Sequence, residues 1–202
     1  MPRPPLPSKP TSGAPAPGEP GPLPDVVGPG IRLLLVGINP GLRSASVGCH
    51  FAGPGNRFWP ALYAAGITPQ LFVPAQQHRL PDLGVGITNL ARRPSARASD
   101  VTAAELRDGS RQVVELAAHL RVRVVAVLGV SAFRVAFERP GAAVGPQGDL
   151  PAGSRWWVLH NPSGLNAHAT PADHAAGLRA VGRAAGLRLH RGRRSRDARR
   201  LR

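Results

Sequence analysis

Two short polar turns and the loop between them hold the residues whose types and spacing could do chemistry. In Gly37-Ile38-Asn39-Pro40-Gly41 a side-chain amide follows directly on an apolar run, Leu33 to Val36. An amide can hold a water or the polar edge of a ligand, but it cannot titrate as an acid or base. Pro40 stiffens the turn, and the flanking glycines let backbone approach a ligand closely. A second turn, Asn161-Pro162-Ser163-Gly164-Leu165, follows the run Trp156 to His160 and ends on an apolar tip, Leu165. Phe51 lies between them in a Gly/Pro-rich loop, with no periodic reason to belong to a core.

These residues need elements that bring them to one place. Leu33 to Val36 shows no polar alternation, which suits a strand buried on both faces, as in a parallel sheet. Gly84 to Leu90, Arg123 to Gly129 and Trp156 to His160 read as further strands. Helices fall between them. Asn56 is an N-cap for a helix with Pro60 in its first turn and Gly66 as its stop. Thr68-Pro69 opens a short helix. Thr102 and Glu105 form a capping box for a helix to about Leu120, with Leu106, Val113, Val114, Leu116 and Ala117 facing inward. Another helix starts near Ser131, and Thr170-Pro171 with Asp173 caps a last one to about Ala185. Strands alternating with helices predict an α/β three-layer sandwich, a mostly parallel central sheet with helices on both faces. Ligands of such sheets collect beyond the carboxyl ends of the strands, where both turns fall.

Composition narrows the partners. The 202 residues favour a single domain able to bury a real core. Residues 1–29 are rich in Pro, Gly, Ala and Ser and read as a disordered tail, 30–187 as the domain, and 188–202 as a mobile basic tail with eight arginines and one acid. The formal charge is +15, almost all from arginine, since Lys9 is the sole lysine. Such a charge points to a polyanion, with nucleic acid ahead of a membrane surface. No run approaches the ~18 apolar residues of a membrane span, and the N-terminus lacks a signal-peptide core, so a cytoplasmic, nucleoid-associated protein is expected. The single cysteine, Cys49, excludes an internal disulfide, a Cys-ligated zinc finger and a Cys-ligated iron–sulfur cluster. His50, His160, His168 and His174 match no metal-ligand spacing, and Gly37 to Gly41 lacks the GK[ST] ending of a phosphate loop. Trp59, Trp156 and Trp157 read as packing aromatics.

Together the turns describe a pocket with a water-holding amide, a flat stacking surface and a loop with an apolar tip. That equipment suits taking a base out of a duplex, reading its edge and plugging the gap. The sequence here resembles the mismatch-specific uracil/thymine-DNA glycosylases within the uracil-DNA glycosylase superfamily. The resembling residues are GINPG (Gly37 to Gly41), FAGPGNRFW (Phe51 to Trp59), GITNL followed by RRP, and NPSGL (Asn161 to Leu165), within a span of roughly Ile31 to Ala185.

The resemblance implies roles. Asn39 would orient the attacking water, and Phe51 would stack on the extruded base. Backbone around Ile38, Gly41 and Phe51 would hold the base, with Ser44 at the pocket mouth crowding a thymine methyl. Leu165 would fill the vacated space, while Ser163, Gly164 and Asn166 contact DNA and pair with the widowed guanine. Asn161 stands where more powerful relatives use a histidine to stabilise the departing base. Arg92 and Arg93 follow a strand end on the same edge, as does Arg97, and are candidate phosphate contacts, the alternative being a solvated face. The implied protein is a monofunctional glycosylase acting as a monomer on double-stranded DNA with G·U or G·T mispairs, without metal or cofactor. A broader-specificity uracil/hypoxanthine glycosylase and a lesion-binding protein with little catalysis are the alternatives. The chain departs from bacterial members at Asn89, where they carry a lysine, and after Leu165, where Asn166-Ala167-His168 replaces their arginine.

Overall fold

A computed structural model describes residues 21–148, 150–151, 153–164 and 169–190. Five strands, β1 (Leu33–Gly37), β2 (Val85–Asn89), β3 (Val124–Leu128), β4 (Gly145–Gln147) and β5 (Arg155–Leu159), form one sheet in the order β2-β1-β3-β5-β4. The first four of these in sheet order run parallel, and β4 pairs antiparallel with β5 at the edge. The helices are α1 (Leu42–Val47), α2 (Phe58–Ala64), α3 (Ala103–Leu120), α4 (Val130–Ala136) and α5 (Pro171–Ala184).

The two-sided apolar character of β1 sets the three layers. Alternate side chains point to opposite faces of a strand. Leu33 and Leu35 therefore join Phe58 and Leu62 of α2 and Leu178 and Val181 of α5 in one core. Leu34 and Val36 join Val113 and Ala117 of α3 and Phe133 of α4 in the other. This is the expected mostly parallel α/β sandwich. Among the described residues no helix is long and apolar enough to cross a membrane.

Local signals account for most element ends. Thr102 Oγ1 accepts the Glu105 N–H at 3.2 Å and Glu105 Oε2 accepts the Thr102 N–H at 2.8 Å, closing the capping box of α3. Thr170 and Asp173 repeat the arrangement on α5. The N-cap of α2 is Arg57 rather than the expected Asn56 and makes no side-chain cap bond; Asn56 Oδ1 accepts the Phe58 N–H at 3.0 Å from the turn before it, and Gly66 follows α2 at φ 79°.

Several expectations need correction. Thr68-Pro69 does not open a helix: Thr68 is buried with its hydroxyl unpaired, and 3-10 turns form later, at Pro74–Arg79 and Pro81–Leu83. Helix α1 stands in what read as loop; it buries only Ser44, so no apolar period marks it. Strand β4 is three residues with Pro146 in the middle, tolerable only at a sheet edge. The domain also begins before residue 30. Val26 exchanges backbone hydrogen bonds of 2.9 and 2.8 Å with Ile87, and Leu23 is buried. At the other end the chain stays packed through Leu187 and Leu189, and the His190 N–H reaches the Gly66 carbonyl at 2.7 Å.

Candidate active site

The carboxyl ends of β1, β2 and β3 and the segment after β5 open into a cleft of about 630 Å³. It gathers Ile38, Asn39, Gly41, Ser44, Phe51, Asn161, Ser163 and Gly164 from the residues singled out in the sequence. It also takes in Leu23, His50, Asn89 and Ser95, which sequence reasoning gave no role in a pocket. Leu165 and Asn166 lie outside the described residues, so the expected wedge is not placed. Arg92 and Arg93 are not brought to the cleft. Arg93 Nε donates to Glu105 Oε1 at 2.8 Å, and Arg92 pairs with Asp25 at 3.4 Å. The Arg93 guanidinium and the Thr102 cap together hold the Glu105 carboxyl down at about 2.

Asn39 is held by its nitrogen. Nδ2 donates to the Pro40 carbonyl at 3.0 Å and to Ser95 Oγ at 2.8 Å. Ser95 Oγ gives its own proton to the Arg97 carbonyl at 2.6 Å, so toward Asn39 it can only accept. Both neighbours thus demand the amide nitrogen, and the orientation of the amide is fixed by chemistry. The oxygen is left as the acceptor of Asn39. Ser95 is itself tied to the turn, its N–H bonding the Pro40 carbonyl at 3.1 Å.

Phe51 presents one face. Its ring stacks on Phe58 with centroids 3.8 Å apart and planes 19° apart, so α2 backs it from one side. Its backbone sits at φ 55°, a left-handed conformation that costs an aromatic residue energy and marks a constrained turn. Ser44 Oγ accepts the Ala52 N–H at 3.0 Å, and so ties the Phe51 loop to α1. Among the described residues no acceptor takes the backbone N–H of Ile38 or Phe51.

A relay runs from the N-terminal strap to the end of β2. His50 Nε2 lies 2.9 Å from the Pro24 carbonyl, which can only accept, so the proton sits on Nε2. Nδ1 is then an acceptor and takes Asn89 Nδ2 at 3.3 Å, which leaves Asn89 with its oxygen as the outward acceptor. Burial pushes the His50 pKa below its ordinary value, against weaker opposing effects of the Pro24 carbonyl and Asp25. Gly37 leaves room for this arrangement: a Cβ there would collide with Asn89 Oδ1 and displace the Asn89 amide, and would press on Phe51. The Leu23-Pro24-Asp25 strap carried no signal of its own in the sequence: its composition matches the tail before it.

The Asn161 turn closes the far wall. Asn161 Oδ1 accepts the Ser163 N–H at 3.0 Å. The Arg57 N–H bonds the Pro162 carbonyl at 2.9 Å, and Arg57 Nη1 the Ala169 carbonyl at 3.2 Å, so the residue before α2 grips both stems of the turn. Gly164 packs on Gly55, and a Cβ there would stand 2.9 Å from the Gly55 carbonyl oxygen. Among the described residues no three of His, Cys, Asp and Glu gather as a metal site would need.

The arrangement can hold a flat ring against Phe51, offer it backbone donors and amide acceptors, and keep a polar small molecule on Asn39. Comparison with known proteins agrees with this fold. The chain is similar to a candidate uracil DNA glycosylase of Methanosarcina acetivorans, solved by solution NMR, at 20% identity with a TM-score of 0.56, covering 80% of this chain and 98% of that one. The family model of the uracil DNA glycosylase superfamily matches residues 24–180, which takes in Pro24 and Asp25 of the strap, both turns and Phe51. The chain belongs to the uracil DNA glycosylase superfamily.

Proposed function

We propose that this protein is a monofunctional DNA glycosylase that hydrolyses the N-glycosidic bond of uracil mispaired with guanine in duplex DNA, leaving an abasic site. One observation carries the reading: the oriented Asn39 amide and the backed Phe51 ring share a single cleft with the Asn161 turn. An extruded uracil would lie on Phe51 with its carbonyl oxygens toward the N–H groups of Ile38 and Phe51. Asn89 Oδ1 suits the N3–H of uracil, and would face the lone pair of cytosine N3 unfavourably.

Breaking the bond leaves a sugar with oxocarbenium character and a uracil anion. Fixed donors around the base would stabilise that anion, the more so once bound DNA covers the cleft and excludes bulk water. A water held on Asn39 Oδ1 adds to C1′, and its proton passes to solvent or to the departing base. Orientation suffices because the sugar cation is highly electrophilic, but without a carboxylate base turnover should be slow. Leu165, next after Gly164 in the chain, would occupy the space left in the helix, with Asn166 near the widowed guanine. Thymine and ethenocytosine opposite guanine are secondary substrates, thymine hindered by Ser44.

The test is single-turnover cleavage of matched duplexes with uracil, thymine or ethenocytosine opposite guanine, with A·U and single-stranded arms. Fastest cleavage at G·U supports the reading. Faster cleavage of single-stranded uracil would remove the mismatch role given to the Asn161 turn, and no cleavage in any arm would leave a lesion-binding protein.

A further inference from the structure

The end of the sheet away from the cleft carries its own chemistry. Strands β1 and β3 are each preceded by an arginine, Arg32 and Arg123, and β5 begins with Arg155. The parallel register sets these three side by side, Leu33 opposite Val124 and Val124 opposite Arg155. Arg121, Arg183 and Arg188 are exposed around them. A five-residue strand spans roughly 16 Å, so this face and the cleft lie on opposite ends of the molecule.

Two of these arginines are held by backbone carbonyls, and none of the six forms an ion pair with a described acid. Arg32 Nη1 donates to the Gly186 carbonyl at 2.6 Å, Arg155 Nη2 donates to the Ala184 carbonyl, and the Arg123 guanidinium stands beside Gly186. They gather on the negative end of the α5 dipole, which favours cations there. The four ion pairs among the described residues use other arginines, Arg92, Arg93, Arg107 and Arg111. The last described residue, His190, also lies here, its N–H on the Gly66 carbonyl at 2.7 Å.

A merely Arg-rich composition would scatter its charge, and paired arginines would cancel it. Instead a preorganised cationic plate stands behind the catalytic edge. We propose that this plate binds a second DNA duplex through its phosphates while the cleft engages the first, so that one molecule bridges two DNA segments. Exposed arginines without acidic partners, arrayed beside the two held ones, suit phosphate contact without base reading, since phosphate contacts position but carry no sequence information. The first of the two bound segments rests on the function proposed above; the second does not.

The experiment uses the full chain and two undamaged duplexes, one on beads and one fluorescent, with Arg123→Gln/Arg183→Gln/Arg188→Gln beside a control triple, Arg107→Gln/Arg111→Gln/Arg139→Gln. Parent and control should capture the fluorescent duplex, and the plate variant at least fivefold less. Its binding should also lose about 2 to 3 from the log-log salt slope, since each phosphate contact contributes about 0.9. Single-turnover cleavage of a G·U duplex by the plate variant should stay within twofold of the parent, a readout that separates failure of the plate from failure of the glycosylase reading. Equal loss in both triples, capture unchanged in the plate variant (as a dimer bridging through two clefts would give), or displacement of the duplex more readily by anionic phospholipid vesicles than by DNA would each overturn the proposal.

Discussion

Ser95 Oγ lies 2.8 Å from Nδ2 of Asn39 and directs its only proton away, to the Arg97 carbonyl at 2.6 Å. That one-way bond makes the amide of Asn39 an acceptor toward the cleft. It predicts a graded pair of variants. Asn39→Ala should keep duplex binding and lose excision by on the order of 10² to 10⁴-fold. Ser95→Ala removes one neutral hydrogen bond, about 0.5–1.5 kcal/mol, and should slow excision by up to about tenfold without changing KM. Single-turnover rates on a G·U duplex measure both. Parent-rate cleavage by the Asn39 variant would end the water-positioning role.

Phe51 rests on Phe58 with ring centroids 3.8 Å apart, so the stacking surface is rigid before any ligand arrives. Removing it should cost stacking worth ~1–3 kcal/mol per base. Phe51→Ala should therefore lower kcat/KM by roughly 10- to 100-fold, whereas Phe51→Leu, which keeps bulk but not the flat face, should recover only part of it. A leucine variant as fast as the parent would show that filling, not stacking, is what position 51 provides.

The legible parts of this protein are those where local chemistry and global packing agree. The capping boxes at Thr102 and Thr170 are visible in sequence because the same side chains that mark them make the bonds. The unbroken apolar run of β1 announces burial on two faces. Asn39, Phe51 and Asn161 were legible because each breaks the pattern around it. Thr68-Pro69 misleads because a buried hydroxyl without a partner is not written in any spacing. The Pro24–His50–Asn89 relay is invisible for a different reason. Its partners are 26 and 39 residues from His50, and only the paired strands bring them together. Arg92 and Arg93 looked like phosphate ligands on the active edge, but Asp25 and Glu105, which engage them, are set beside them by the strap and by α3.

The contact of Gly164 with Gly55 makes a further test of the Asn161 turn. A Cβ at 164 would stand 2.9 Å from a backbone oxygen that cannot rotate away, so the turn itself must move. Gly164→Ala should reduce excision at least tenfold, as sub-ångström misplacement of catalytic parts does, with little change in thermal midpoint because the turn lies at the surface. A matched Gly141→Ala, at a glycine with nothing near its Cβ position, should leave excision unchanged. Equal effects of the two would deny the turn its place in the site.

His50 supplies a pH test of both fold and cleft. It is buried, with its pKa below the usual value of about 6.5, and His174 is lowered as well by burial and by Arg57 and His160. The unfolded chain therefore binds more protons than the folded one once pH drops below about 6.5, so stability must fall with falling pH until the folded-state values are passed. The thermal midpoint should decline through that window, and less steeply in His50→Gln, which does not titrate. Excision should follow. Protonated His50 has donors on both ring nitrogens, so Asn89 must turn its oxygen to Nδ1 and present its amide nitrogen to the cleft, where it would oppose the N3–H of uracil. Asp25 is the charged group that faces His50. The parent should therefore show an acid limb in its single-turnover rate that His50→Gln lacks, since a glutamine can donate to the Pro24 carbonyl and accept from Asn89 at any pH. Identical acid limbs in the two proteins would mean that His50 does not set the outward atom of Asn89.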